Sequence, residues 1–450
     1  MCSIGREEVA VVFGYWRSIK YSVHALVGAL ESTGLDKDVH VFLFPLSELK
    51  NKIKALRRKY DKVVYSQTLL TTELPEILDK LKEVTGYSKE NNVISIAGGP
   101  HASGDPYGTL ISLGFDYVAL GEAEELFPQF ISVVMSNGDP LAIRGIAGMD
   151  GSRVSIKGRG FVEDLDKYPP FAVRHGLFNP IEITRGCPFV CKYCQVPYIF
   201  SARPRHRTVD NVLKWVKILV GRGIKDIRFV TPNAFGYGSE GRELRVEVVT
   251  ELLQSLQEGR SEGVRIYFGT FPSEIRPEHV VKETVDLLRR YVDNKRVTLG
   301  AQTGSDRLLK SIGRGHTSED VINAVRLLRN NGFQVDVDYI FGLPGETEED
   351  VEFTIQHMKK VVSLGARVHG HVFLPLPGTP YSFSPPGRVG TRLRREINKL
   401  LGRGYVFGQW EKQEVLAARI AELRKRGVIL ITYERAKEIL ESSSSGKANG

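Results

Sequence analysis

Short apolar runs separated by helix-length stretches recur along this chain, and they leave few folds open. In the first third the runs are 9–14, 39–44, 62–66, 93–98 and 115–120. Between them, 22–32 and 75–84 read as helices, with Pro75 placed where a first turn tolerates proline. Runs that are apolar and alternate with helices predict a parallel sheet covered on both faces. The stretch 151–178 breaks the pattern with Gly158, Gly160, the pair Pro169-Pro170 and mixed charges, and reads as a linker. The pattern then resumes at 181–184, 227–231, 265–271, 297–302, 335–341 and 368–373. Each of the first five is followed by a helical stretch, and Thr208 is suited to cap the helix at 209–220. Six strands with crossover helices predict an incomplete (β/α)6 barrel.

The expected class is therefore α/β. A Rossmann-like parallel-sheet domain spans 1–150, a linker 151–178, a barrel 179–380 and a basic helical region 381–450. Its end, 442–450, is a Ser/Gly/Asn tail expected to be disordered. A chain of 450 residues fits two domains and an appendage. No apolar run approaches the ~20 residues of a membrane span, and the N-terminus lacks a signal-peptide pattern. A cytoplasmic location with reduced thiols is the expectation. The formal net charge is +9, and from Arg388 onward 14 Lys and Arg face 7 Asp and Glu. Such a region is either a solvated helical surface or a contact for nucleic acid, membrane headgroups or an acidic substrate.

Three of the four cysteines fall within eight positions: Cys187, Cys191 and Cys194, directly after the strand at 181–184. In (β/α) barrels, loops at that strand end carry the chemistry. Three thiolates favour iron–sulfur or zinc. Zinc normally takes a fourth protein ligand, for which His175 and His206 are candidates. Three sulfurs on a four-iron cluster instead leave one iron open.

The CxxxCxxC spacing, with Tyr193 before the last cysteine, resembles the radical S-adenosylmethionine (SAM) superfamily. The similarity runs over about 179–380. It implies that Cys187, Cys191 and Cys194 bind a 4Fe-4S cluster, that SAM chelates the open iron, and that Tyr193 lies near the adenine. Asn233 and the Tyr237-Gly238 pair after the second barrel strand resemble the methylthiotransferase-type variant rather than a Gly-Gly-Glu motif. Thr231 and Asn233 are then offered to SAM. Ser273 and Glu274 follow the third strand, where Ser273 either binds SAM or caps a turn. By the same resemblance Gln302 and Ser305 supply hydrogen bonds, and the backbone at Phe341 and Gly342 holds adenine, as in the elongator-like subgroup.

The segments 94–103 and 114–124 resemble the cobalamin-binding domain that precedes many such barrels, and 69–77 resembles its loop beside the corrin tail. The implied contacts are Leu69, Thr71, Gly98, Gly99 and Gly121. No Asp-x-His-x-x-Gly signature stands in the first βα loop, so cobalamin would lack a histidine ligand from that motif. The alternative is a sheet domain that shapes the substrate pocket without the cofactor. The resemblance implies an enzyme that cleaves SAM reductively to functionalise an unactivated carbon, with cobalamin-dependent methyl transfer as an extension. An electron donor such as ferredoxin or flavodoxin is then required. Two other readings stay open. One is a methylthiotransferase acting on tRNA, although such enzymes carry three further cysteines and only Cys2 remains here. The other is a non-catalytic zinc and RNA-binding protein.

Overall fold

The protein's structure, a computed structural model, describes residues 7–445; Cys2 lies outside them. The N-terminal sheet has seven strands in the order β2-β1-β3-β4-β5-β6-β7. They are β1 (Val9–Gly14), β2 (Val39–Phe44), β3 (Lys62–Thr68), β4 (Ile94–Gly98), β5 (Tyr117–Ala119), β6 (Ile146–Asp150) and β7 (Arg153–Ile156). The first five are parallel; β6 and β7 are antiparallel. Every residue of β1 is buried. Val9, Val11 and Phe13 enter one core beside Val27, Leu30 and Phe130, while Ala10 and Val12 enter the other beside Ile53 and Leu81. Helices Lys20–Thr33 and Leu126–Met135 thus cover one face, and Leu49–Arg57 and Leu74–Glu90 the opposite one. Each such buried Val, Leu or Phe contributes about 1.5–3 kcal/mol. The chain turns outward from β1 to β2 and returns on the other side as β3. That reversal makes a switch point, with a crevice at the carboxyl ends of the strands.

The barrel comprises β8 (Ile181–Glu182), β9 (Thr184–Arg185), β10 (Arg205–His206), β11 (Asp226–Val230), β12 (Arg265–Tyr267), β13 (Arg296–Gln302), β14 (Gln334–Phe341), β15 (Arg367–Val372) and β16 (Val406–Phe407). Seven of them form two parallel arcs, β12-β11-β8 and β13-β14-β15-β16, joined by a parallel bridge between Ile275 and Leu299, while β9 and β10 pair as an antiparallel ribbon. One core of residues from 171 to 410 underlies both. The six expected strands are present, and β16 adds an edge that its two-residue length concealed.

Three features depart from the sequence expectation. β7 carries the sheet into the segment read as linker, because Val154 and Ile156 pair back on β6. The helix Tyr433–Ser445 runs through Ser442–Ser445, the first part of the expected tail, since a helix end tolerates serine; 446–450 lie outside the described residues. The C-terminal region is more than a solvated surface. Helix Trp410–Lys425 buries Trp410 in the barrel core and Ile420 and Leu423 in the sheet-domain core. The Asp105 carboxylate then accepts the backbone N–H groups of Leu430 (3.0 Å) and Ile431 (2.7 Å). Among the described residues, no helix is long and apolar enough to cross a membrane.

Candidate active site: a thiol loop beside a glycine-floored cavity

The cysteine loop is held by its own backbone. It leaves β9 through Gly186 at φ +86°, where a Cβ would stand 2.5 Å from the Arg203 carbonyl oxygen, so only glycine fits. The Cys187 N–H donates to Ser201 O (3.1 Å), Lys192 N–H to Ile312 O (3.0 Å) and Cys194 N–H to Cys191 O (3.0 Å). Val190 takes a left-handed φ of +52° to turn the chain between the first two cysteines. All three thiols are free. Burial pushes the Cys187 thiol up, and the Cys194 thiol up to about 12. Cys187 and Cys194 therefore carry protons that a bound metal would displace.

Two arginines stand over this loop. Arg314 places Nη1 3.8 Å from Cys191 Sγ and donates from Nη2 to Gly300 O (2.9 Å), while its buried Nε has no protein partner. Arg276 lies 3.4 Å from the Phe189 ring centroid, donates to the Arg314 carbonyl and pairs with Glu278 at 2.6 Å. Buried guanidinium groups beside neutral thiols are poorly compensated; beside thiolates they are matched. The spacing of the sulfurs adds a second constraint. Among the described residues, only Asp338, His369 and His371 bring three metal-ligating atoms within 4.8 Å of one another. The three cysteine sulfurs do not form such a group. His175 and His206 are also committed elsewhere. His175 pairs with Glu31 (2.8 Å), and His206 contacts Thr184 Oγ1 (2.9 Å) and Ser239 O (2.8 Å). The donor set therefore fits an iron–sulfur cluster better than a single ion.

The structure sorts the expected SAM contacts into three groups. Tyr193 packs against the cluster of Leu308, Leu309, Ile312, Leu343 and Phe373, and Gln302 approaches Gly300 and Arg314 at a bulge where its own φ is +72°. Thr231, Asn233 and Ser273 are buried at the ends of β11 and β12. There Asn233 is spent on structure: Oδ1 accepts the Arg276 N–H (3.2 Å) and Nδ2 contacts His279 Nδ1 (2.9 Å). Ser273 Oγ donates to Thr270 O (2.9 Å), the capped-turn alternative. Ser305 caps helix Asp306–Ser311 through the Leu308 N–H and donates to Asp350 at 2.5 Å, so its hydroxyl is occupied away from the cysteines. Phe341 closes β14 with its carbonyl accepting the Phe373 N–H, and Gly342 follows at φ +70°. Sequence reasoning left out Arg276 and Arg314 as site residues. The available signal was Arg314 set between Gly313 and Gly315, both at positive φ.

Between the two domains lies a cavity of about 250 Å³. Its floor is the carboxyl ends of β3, β4 and β5, with Thr68, Gly98, Gly99 and Gly121; its wall includes Tyr21, Glu182 and Arg185. Gly98 is extended, and a Cβ there would meet nothing closer than Ala119 at 3.9 Å. Gly99 has φ +88° and lies against Thr68 and Leu69. Leu69 and Thr71 stand behind the floor: the Leu69 N–H donates to Gly98 O (2.9 Å), and Thr71 Oγ1 contacts His101 Nδ1 (2.9 Å). No histidine lines the cavity. Buried charge ties the wall to the barrel. Glu122 pairs with Arg185 (3.0 Å) and Arg205 (2.6 Å), and Arg185 also reaches Glu124 (2.5 Å) and Glu182 (2.6 Å).

Comparison with known proteins agrees with this geometry. The family model described as the Radical SAM superfamily matches residues 181–358. A tRNA-2-methylthio-N(6)-dimethylallyladenosine synthase from Moorella thermoacetica is 30% identical over 320 residues, covering 68% of each chain. An uncharacterised protein from Methanopyrus kandleri is 27% identical over 339 residues, covering 64% of this chain. The chain spans 62% of that relative's length, and 52% of the synthase from Sulfurihydrogenibium sp.. Among solved structures, the radical SAM methyltransferase TsrM from Kitasatospora setae, with cobalamin and a 4Fe-4S cluster bound, aligns with TM-score 0.66 at 19% identity. That alignment covers 84% of this chain and 78% of TsrM. The cobalamin-dependent SAM radical enzyme OxsB aligns with TM-score 0.62 at 17% identity, over 79% of this chain and 52% of OxsB. At these identities the likeness shows the fold. Cysteine loop, barrel, family match and relatives agree: this chain belongs to the radical SAM superfamily.

Proposed function

We propose that the enzyme binds cobalamin in the interdomain cavity and transfers a methyl group to an unactivated carbon. One observation carries the reading. Arg185 lines the cavity, and Cys187 follows two residues later on the same segment. A ligand on the glycine floor is thus a neighbour of the cluster loop. The floor fits a large cofactor in kind, and the enclosed volume, below the ~300–1,000 Å³ of common ligand pockets, fits part of one.

When bound, cluster and SAM supply a 5′-deoxyadenosyl radical and a corrinoid supplies a transferable methyl group. The chain's own residues hold and orient these groups. Cys187, Cys191 and Cys194 are assigned to iron, and Arg276 and Arg314 balance the thiolate charge. Tyr193, Gln302, Thr231 and the backbone at Phe341 and Gly342 are assigned to SAM, with Asn233 and Ser273 shaping the loops beside it. Gly98, Gly99 and Gly121 are assigned to the corrinoid, supported from behind by Leu69 and Thr71. No histidine is among the described residues that line the cavity, so those that would hold a corrinoid there include no imidazole.

The test is anaerobic reconstitution with iron, sulfide and cobalamin, then reaction with methyl-labelled SAM and a ferredoxin or flavodoxin donor. The reading expects cobalamin retained on gel filtration and 5′-deoxyadenosine or label transfer. Retention of neither cofactor contradicts it. Methylthio transfer to tRNA is the second reading, favoured by the synthase relatives. The N-terminal sheet has no cysteine among the described residues for a second cluster. Support for nucleic acid at the basic C-terminal region is also reduced, because Arg392, Arg394 and Lys399 pair with Glu352, Glu414 and Glu396.

A further inference from the structure

Inside the barrel, β14 and β15 place a second set of metal-ligating side chains. Their outward residues, among them Val337, Tyr339 and Val368, enter the core beneath the helices. The alternate residues face the lumen, and the register pairs Asp338 with His369 and Ile340 with His371. His369 Nδ1 lies 2.9 Å from Asp338 Oδ1 and 3.2 Å from His371 Nε2. All three residues keep partial access to solvent.

We propose that Asp338, His369 and His371 form a binding site for one divalent transition metal of the zinc or ferrous class. An ordinary Asp–His pair accounts for only one of the two contacts made by His369 Nδ1. A proton on that nitrogen can point along one line, so the other contact lacks a full hydrogen bond. A cation shared by three lone pairs satisfies both. The spacing agrees: metal–ligand bonds of about 2.0–2.1 Å put neighbouring ligand atoms about 3.3 Å apart in a tetrahedron and about 2.9 Å apart in an octahedron. Two imidazoles and one carboxylate suit zinc or ferrous iron rather than calcium or magnesium.

The surroundings hold the ligands in place. His369 stacks on Phe407, with centroids 4.5 Å apart and planes 4° from parallel. Gln413 accepts the Val372 N–H (2.8 Å) through Oε1, which turns its Nε2 toward His371 Nδ1 at 3.3 Å. That amide favours an unprotonated Nδ1, whereas a metal on Nε2 requires Nδ1 to carry the proton. The site therefore binds metal with one opposed contact, which a carboxylate at 413 would relieve by accepting from both groups. Three protein ligands leave coordination positions open toward the lumen for water or a substrate oxygen or nitrogen.

The test uses the full chain with Cys187→Ala, Cys191→Ala and Cys194→Ala combined, which removes thiolate sites and makes the result independent of cluster chemistry. It is titrated anaerobically with Co2+, read by visible absorption and calorimetry. The expected result is one Co2+ per chain, weakened at least about tenfold by His371→Ala or Asp338→Asn and tightened about tenfold by Gln413→Glu. The cluster-loaded wild-type chain, dialysed against Zn2+ and counted by elemental analysis, gives the same answer if the triple variant does not fold. No Co2+ or Zn2+ retained at one equivalent, binding indifferent to His371→Ala in a variant with wild-type circular dichroism, or equal affinity in Gln413→Glu overturns the assignment.

Discussion

The cysteine loop and the interdomain cavity adjoin each other, yet they are built on opposite principles. The loop works through side chains: three thiols on a backbone fixed by its own hydrogen bonds, with Arg276 and Arg314 brought over them by the barrel. The cavity floor is made largely of missing side chains, at Gly98, Gly99 and Gly121. Adding atoms therefore has opposite consequences. On the proposed assignment, a substitution at a loop cysteine would remove a cluster ligand and end the chemistry. A substitution on the floor fills space, excluding one ligand while the rest of the enzyme stands. The donors proposed for the chemistry are concentrated in a short segment, whereas the space proposed for a bulky cofactor is spread over the ends of three strands.

The largest expected effect is in the loop. Replacing Cys191 by alanine should lower 5′-deoxyadenosine formation by more than about 10³-fold, the scale seen when a member of a catalytic unit is lost. Residual turnover within tenfold of wild type would show that Cys191 is not a cluster ligand. Next is the joint between the regions. Glu122→Ala strips the buried Arg205 of its carboxylate, while Arg185 keeps Glu124 and Glu182, and should cost about 3 kcal/mol in urea unfolding. A loss under about 1 kcal/mol would mean that the two domains stand without this network.

The cavity comes third. Gly98→Val meets no backbone obstacle, because Gly98 is extended and faces open space. It should weaken cobalamin binding by about 100-fold, or ~2.7 kcal/mol, in equilibrium dialysis, while stability stays within about 1 kcal/mol. Undiminished cobalamin retention would remove the cavity from the account. The smallest effect concerns Glu346, whose carboxylate accepts the Gly342 N–H at 3.1 Å. Burial raises its pKa from an ordinary 4.5 to about 7. A carboxyl raised on folding costs nothing below its unfolded pKa. The cost grows between those two values and is complete above the upper one. Stability should thus fall as pH rises through that window, and Glu346→Gln should flatten the curve and gain about 1–2 kcal/mol at pH 8. An unchanged pH profile would show that Glu346 is ionised at no cost.

The same contrast explains how much could be read from the sequence. The alternating runs gave away both parallel sheets, because strands buried on both faces cannot hide their apolar character. Cysteine is scarce here, so Cys187, Cys191 and Cys194 stood out by spacing alone. Ser305 and Asn233 show the limit. Both occupy loops suited to a ligand, and both spend their hydrogen bonds on a helix cap or a neighbouring loop. One-dimensional reasoning cannot tell a capping serine from a binding one. Arg276 and Arg314 are far from the cysteines in sequence and reach them only through the barrel's closure. The packing of Ile420 and Leu423 into the N-terminal domain was hidden for the same reason, since nothing local in a polar helix names the surface it covers.

The most direct test is the metal content and spin state of the anaerobically reconstituted chain. The account predicts about four irons with matching sulfide per chain, lost together when Cys187, Cys191 and Cys194 are replaced. It also predicts a reduced-state paramagnetic resonance signal that shifts when SAM is added. A single zinc at the cysteines, or a cluster whose signal ignores SAM, would contradict it.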